Sequence, residues 1–245
     1  MVDHNKEIVV IKEKKPIEFN NAIAIAGFAG AGLVGTIAIN YIIEKLKMKE
    51  IAYFSSRLIP PFTIFIDGIL KYPLRIYTND EKTIVAIISE VPLQENSFFD
   101  IAHALLDWLE SKKISEITVV AGVSVGNTNE SGVFAAAEPE ILDDLVKKGV
   151  KKLQRGLIGG LSASILNQCL HREMVGICLL APTIEDMPDP NAAGKLVATL
   201  TNIYNLRINI DQLIKEAENV KKKRSEVSQA MNDMKEKDTS MRLYL

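Results

Sequence analysis

Short runs rich in β-branched and aromatic residues alternate with longer helical runs along most of this chain. This alternation constrains the fold most, because strands that alternate with helices are typical of an α/β domain. The predicted strands cover residues 8–11, 22–26, 51–54, 63–66, 74–78, 83–89, 117–121 and 174–180. The predicted helices cover residues 33–47, 97–111, 139–148, 161–170 and 189–204. We therefore expect an α/β fold.

Several of these helices carry start and stop signals. Asp189, followed by a proline, is typical of a helix cap and first turn. Pro139 can occupy the first turn of an earlier helix, and Gly149 ends it. Ser97 and Asp100 have the spacing of a capping box. These signals fix the predicted helix boundaries better than the apolar pattern alone.

The composition excludes several classes of protein. The chain has 245 residues, 47% of them hydrophobic, which is enough for one large core or two small ones. The net charge of -2 gives no basic excess that calls for nucleic acid. Two cysteines, Cys169 and Cys178, are too few for a disulfide framework.

The first residues lack the apolar core of a signal peptide, and no apolar run reaches the roughly 18 residues of a membrane helix. We expect a cytoplasmic protein without a membrane or nucleic-acid partner.

A glycine-rich loop at residues 27–35 follows the second predicted strand and contains a G-x-G-x-x-G pattern. In a dinucleotide site such glycines let the backbone approach a pyrophosphate at a helix N-terminus. The next strand ends without the acid that would hold a ribose, although Ser55 and Arg57 are compatible with a phosphorylated ribose. The other interpretation is a tight strand-to-helix turn. The loop therefore leaves a nucleotide- or dinucleotide-binding enzyme as the alternative function.

Residues 122–126 match the G-x-S-x-G pattern of serine hydrolases. In those enzymes a helix follows the serine, whereas residues 127–132 are typical of a loop. The triad would need one serine, one acid and one histidine: Ser124, Asp143 or Asp144, and His171. Because His171 lies at a predicted helix end, where it can cap carbonyl groups, the pattern favours a structural role.

Other polar residues do not form a convincing site. The three histidines do not pair with one another or with the cysteines at ligand spacing, so we expect no metal. Glu90, Glu95 and Asp100 are close in sequence, and we interpret them as a solvated acidic cluster and not as an acid–base pair. We expect no cofactor and no catalytic residue.

The C-terminal part of the chain differs in character. Residues 211–237 are charged, free of glycine and proline, and carry apolar residues at a 4-3 spacing, which indicates an amphipathic or weakly coiled-coil helix. The predicted organisation is a domain at 1–210, this helix at 211–237 and a flexible tail at 238–245. The tail ends in Leu243, Tyr244 and Leu245. A terminal carboxylate beside an aromatic ring can enter a partner's pocket, so these three residues are the predicted protein-binding site.

Four segments together resemble the proteasome assembly chaperone 2 family, specifically its archaeal members. They span about residues 20–217. Each segment alone is a weak match, but the four together, in this order and spacing, are fairly specific. They are residues 27–35, Pro60 with Pro61, residues 156–160 with the following helix, and residues 188–193 with 206–211.

This resemblance implies a single three-layer α/β/α domain, similar to the phosphorylase/hydrolase-like fold. It also implies a homo-oligomer, with or without a paralogous chaperone, that assembles or handles the proteasome without a cofactor or a serine nucleophile. The family's docking motif is a C-terminal hydrophobic residue, a tyrosine and any residue. Leu243, Tyr244 and Leu245 match these positions one by one. The resemblance therefore implies 20S proteasome α-subunits as the partner.

Overall fold

The computed structural model of the protein describes residues 8–124, 131–183, 187–213 and 215. A nine-stranded mixed sheet forms the centre, and a separate two-stranded hairpin projects from it. The strands are β1 (Val9–Glu13), β2 (Ile23–Gly27), β3 (Lys49–Ser56), β4 (Ile64–Ile66), β5 (Ile69–Lys71), β6 (Leu74–Thr78), β7 (Ile84–Ser89), β8 (Glu116–Ser124), β9 (Phe134–Ala136), β10 (Lys151–Lys152) and β11 (Val175–Thr183). The helices are α1 (Val34–Lys45), α2 (Phe98–Ser111), α3 (Pro139–Lys147), α4 (Gly160–Arg172) and α5 (Pro190–Tyr204).

The sheet has the strand order β1-β3-β6-β7-β2-β8-β11-β9-β10. Its centre is parallel, because β2 pairs in parallel with β7 and β8, and β8 pairs in parallel with β11. The outer pairs β1–β3, β3–β6, β6–β7 and β9–β11 are antiparallel. All six residues of β7 are buried, as expected for a strand with helices on both faces.

Two hydrophobic cores lie on opposite faces of the sheet. The first core packs α1, α3 and α5 onto residues such as Ile25, Ile88 and Leu179. The second core packs α2 and α4 onto alternate residues of the same strands, including Ala26 and Ile87. Successive strand side chains point to opposite faces, so one strand supplies both cores. The chain thus forms a single three-layer α/β/α domain, as expected. In the described ranges, no helix is long and apolar enough to cross a bilayer.

The predicted elements agree with the observed ones, with three strands missed. All eight predicted strands and all five predicted helices are present, whereas the short strands β5, β9 and β10 were not predicted. The Asp189 cap is confirmed, because its Oδ1 accepts a hydrogen bond from the Ala192 amide at 3.0 Å. The Ser97 capping box is wrong, since the Ser97 hydroxyl donates to the Gln94 carbonyl at 2.6 Å instead.

The predicted C-terminal helix is described only at its start. Residues 211–213 and 215 are helical. The rest of the predicted helix at 211–237 and the tail at 238–245 lie outside the described residues. The organisation into these three parts therefore stays a prediction.

The acidic cluster predicted at the surface contains a buried ion pair. Arg75 is fully buried in β6 and pairs with Glu90, whose side chain is only 19% exposed. Glu90 also accepts a hydrogen bond from Asn40 of α1 at 3.1 Å. The interpretation of Glu90 as solvated is wrong, because its carboxylate is held by Arg75 of β6 and Asn40 of α1. Glu95 is exposed, as predicted.

We expect Glu90→Gln to lower the free energy of unfolding by about 3 kcal/mol, because it leaves the buried Arg75 charge without a counter-charge. Urea unfolding monitored by circular dichroism measures this change. Glu95→Gln is the matched control, and its change should stay within about 0.5 kcal/mol. Equal, small effects of the two substitutions would contradict the structural role of the pair.

Candidate functional site

The carboxyl ends of the parallel strands β7, β2, β8 and β11 meet at one edge of the sheet, which we call the carboxyl edge. Ligands of open α/β sheets bind in crevices at such edges. The glycine-rich loop 27–35, the end of β8 and residues 157–162 surround a cavity of about 290 Å³ there. This cavity is where a small-molecule site would be expected.

Two glycines bring α1 into direct backbone contact with the sheet. A Cβ atom on Gly27 would lie 2.3 Å from the carbonyl oxygen of Gly35 in α1. A Cβ atom on Gly35 would lie 2.4 Å from the carbonyl oxygen of Val120 in β8. Neither position leaves space for any side chain. These glycines therefore serve the packing of α1 against β2 and β8.

Two further glycines are in contact with the end of β11. A Cβ atom on Gly32, which has a φ of +60°, would lie 2.4 Å from the Thr183 hydroxyl oxygen. A Cβ atom on Gly122 would lie 2.3 Å from the Ala31 carbonyl oxygen. Atoms of the protein itself thus occupy the space beside these two glycines.

Asp189 ties the start of α5 to the glycine loop. One carboxylate oxygen accepts a hydrogen bond from the Thr183 hydroxyl at 2.9 Å, and the other caps α5. The Asp189 amide donates to the carbonyl of Gly32 at 2.8 Å. We call this arrangement of Gly32, Thr183 and Asp189 the latch. It gives the residues around Asp189 a structural role beyond capping a helix.

The strand order also differs from that of a dinucleotide site. In a Rossmann fold the strand after the glycine loop lies next to the first one and supplies the ribose contact. Here α1 leads to β3, and β6 and β7 lie between β3 and β2. Three strand spacings of about 4.8 Å separate the ends of β2 and β3, about 14 Å in all. Ser55 and Arg57 at the end of β3 are therefore not placed beside the loop as a ribose contact would be.

The G-x-S-x-G residues do not assemble a triad among the described residues. Ser124 ends β8 at the carboxyl edge and is exposed. The first residues of α4 line the cavity, whereas His171 lies in its last turn. Because a helix rises about 1.5 Å per residue, His171 is about 17 Å from the cavity end of α4. Asp143 and Asp144 are exposed on α3. Residues 125–130, which include the end of the pattern, lie outside the described residues.

The described lining of the cavity has no ionisable side chain. Its polar side chains are Ser124 and Ser162, and the rest of the lining is apolar or backbone. Such a lining offers neither a general acid nor a general base. Among the described residues, no group of three histidine, cysteine or acidic side chains could hold a metal. Burial raises the pKa of Cys169 to about 11 and that of Cys178 to about 12, so both thiols stay protonated at neutral pH.

The described start of the C-terminal segment packs against α1 and α5. Leu213 is 2% exposed and packs in the first core, next to Gly194 of α5. The Tyr41 hydroxyl of α1 donates to the Asn209 carbonyl at 2.8 Å, and Lys45 at the end of α1 donates to Gln212 at 2.6 Å. The chain is thus anchored as far as Leu213.

The predicted docking residues are not part of this geometry. Leu243, Tyr244 and Leu245 lie outside the described residues. Leu213, the last described buried residue before this segment, is not among the described residues that line the cavity.

The fold and the glycine contacts define a three-layer α/β/α protein whose glycine loop packs α1 against the sheet. The PAC2 family profile matches residues 24–228. An uncharacterised protein of Methanocaldococcus jannaschii is 33% identical over 229 residues, which cover 94% of this chain and 93% of the relative. The chain belongs to the PAC2 family, as the sequence motifs indicated.

Solved structures from Pyrococcus furiosus are similar over nearly their whole length. PbaA, an archaeal homolog of proteasome-assembly chaperone, matches with a TM-score of 0.83 and 29% identity, covering 96% of this chain and 100% of PbaA. PbaB, an archaeal proteasome activator, matches with a TM-score of 0.80 and 23% identity, covering 91% of this chain and 100% of PbaB. The likeness to PbaB shows the shared fold alone.

We expect Gly35→Ala to destabilise the protein by about 2 kcal/mol, because its methyl group would overlap the backbone of β8. Gly30→Ala is the matched control from the same loop. Gly30 has an extended backbone, with a φ of -171°, and the nearest atom to its Cβ would be 3.9 Å away. Urea unfolding of both variants tests the packing role. A larger loss for Gly30→Ala than for Gly35→Ala would contradict it.

Proposed function

We propose that this protein is an ATP-independent assembly chaperone or adaptor for the 20S proteasome, acting in the cytoplasm without catalysis. The observation that carries the proposal is the 29% identity with PbaA, a homolog of proteasome-assembly chaperone, across 96% of this chain. The described part of the carboxyl-edge cavity lining agrees with a binding role, since none of its residues has an ionisable side chain.

In this proposal the chain binds proteasome α-subunits through Leu243, Tyr244 and Leu245. The terminal carboxylate would accept hydrogen bonds or an ion pair from a lysine or backbone amides in a pocket between two α-subunits. Tyr244 would bury its ring while its hydroxyl keeps a polar partner. Leu243 would add apolar contact, and the last side chain would contribute little because the motif accepts any residue there.

The proposal further includes a homo-oligomer, with or without a paralogous chaperone. Each copy would present one tail, and the α-ring presents several identical pockets. Binding of a second tail is then intramolecular, so overall affinity can exceed that of one tail by a factor of about 100 or more.

We expect Tyr244→Ala to weaken binding to isolated α-subunit rings by about 30-fold per tail, which corresponds to a hot-spot loss of about 2 kcal/mol. Biolayer interferometry with immobilised protein variants and soluble rings measures this loss. Leu245→Ala is the matched control, because it keeps the carboxylate and changes only the position that the motif leaves open. Its affinity should stay within about threefold of the wild type.

Removal of residues 243–245 completes the test. The truncated chain should lose co-purification with the rings while keeping its unfolding midpoint, since the deletion leaves both described cores unchanged. Undiminished co-purification would overturn docking through the tail. Ring binding that is lost equally in Leu245→Ala and Tyr244→Ala would also contradict the proposed motif.

A further inference from the structure

The carboxyl-edge cavity borders the beginning of α4, a feature that the packing of the glycine loop does not use. Gly160, Leu161 and Ser162 line the cavity, so the first turn of this 13-residue helix lies on its wall. The first amide groups of a helix have no acceptor within the helix, and Gly159 before them provides no side-chain cap. The cavity therefore adjoins N–H donors that the helix itself does not satisfy, at the positive end of the helix dipole.

Ser162 is a second and independent sign of a ligand. Its side chain is only 9% exposed and lines the cavity. Among the residues that the structure describes, its hydroxyl has no hydrogen-bond partner, and it does not donate to a carbonyl of the preceding turn, as serines in helices often do. Buried hydroxyl groups normally have a partner. Because this hydroxyl lies on the cavity wall, a molecule in the cavity can provide one.

Two glycines on the cavity wall are not required by the packing of the fold. A Cβ atom on Gly159 would meet nothing within 4 Å, and a Cβ atom on Gly30 would lie 3.9 Å from the nearest atom. Both residues have an extended backbone, with φ values of -119° and -171°, which other residues also adopt. Glycine at such positions lets a ligand approach the backbone closely. Gly27 and Gly35 differ, because their missing side chains make room for α1 and β8.

The charges of the wall select the kind of polar group that fits. The described lining has no acidic side chain that would repel an anion. It also has no lysine or arginine, the side chains that usually neutralise a phosphate dianion. A helix N-terminus with one free hydroxyl suits a group with a single negative charge and two acceptor oxygens. A carboxylate has this chemistry.

The remainder of the wall indicates an apolar body for the ligand. It is formed by side chains that include Phe28, Val91, Leu93, Phe98 and Leu180. An apolar group placed against them would leave water together with this surface, which favours binding. The cavity volume of about 290 Å³ is close to the lower limit of about 300 Å³ for small-molecule sites, so the ligand must be small.

We propose that the carboxyl-edge cavity binds a small organic monocarboxylate with an apolar body. The carboxylate accepts hydrogen bonds from the Ser162 hydroxyl and from the amides at the start of α4. The apolar body lies against Phe28 and Phe98. One ligand then contacts both the glycine loop and α4. This site goes beyond the proposed role in proteasome assembly and does not depend on it.

Isothermal titration calorimetry of the full chain with phenylacetate tests the ligand class. Phenylacetate combines one carboxylate with one aromatic ring, and we expect a dissociation constant of about 1 mM or lower for a ligand of this size. Phenylacetamide has the same shape without the charge and should bind at least about tenfold more weakly. Inorganic phosphate should also bind more weakly than phenylacetate. Equal affinity for the acid and the amide, tighter binding of phosphate, or no binding of phenylacetate would overturn the proposal.

Substitutions of Ser162 test the location of the site. Ser162→Asp places a negative charge beside the position of the ligand carboxylate, so the affinity for phenylacetate should fall at least about 30-fold. An acidic residue in the first turn of a helix is favourable, so this variant should keep its unfolding midpoint. Ser162→Ala removes only the hydroxyl and should weaken binding by about tenfold.

Ser164→Asp is the matched control, because Ser164 lies on the same helix but does not line the cavity. It should bind phenylacetate as the wild type does. Unchanged affinity in Ser162→Asp, or an equal loss in Ser164→Asp, would overturn the assignment of the carboxylate to the start of α4. Binding of α-subunit rings by the tail is measured separately, so this site and the proposed function can fail independently.

Discussion

The structure depends on backbone contact between α1 and the sheet. Gly27 and Gly35 allow this contact, and Gly122 lets the glycine loop lie against β8. Since the loop is pressed onto the strand ends, Thr183 and Asp189 can reach Gly32 and tie α5 to it. The three-layer arrangement on the first core follows, because α1 and α5 then pack side by side on one face of the sheet.

This contact has a consequence for function. A glycine loop that binds a pyrophosphate must leave its backbone open to the ligand, whereas here protein atoms lie against three of the four glycines of residues 27–35. Among the described residues, the glycine loop is therefore built for packing against the sheet and not for holding a pyrophosphate.

The sequence predicted the long strands and helices of an α/β fold because each carries a local signal, such as Asp189 before a proline, whereas the three-layer arrangement was implied by the family resemblance. It missed β9 and β10, which have three and two residues and pair only through tertiary contacts. The turn at Asp67 and Gly68 between apolar residues was a usable hairpin signal for β5. The partner of Glu90 had no local signal, since Arg75 lies fifteen residues away in sequence, on the neighbouring strand β6. The roles of the glycines likewise depend on Val120 and Thr183, which are distant in sequence.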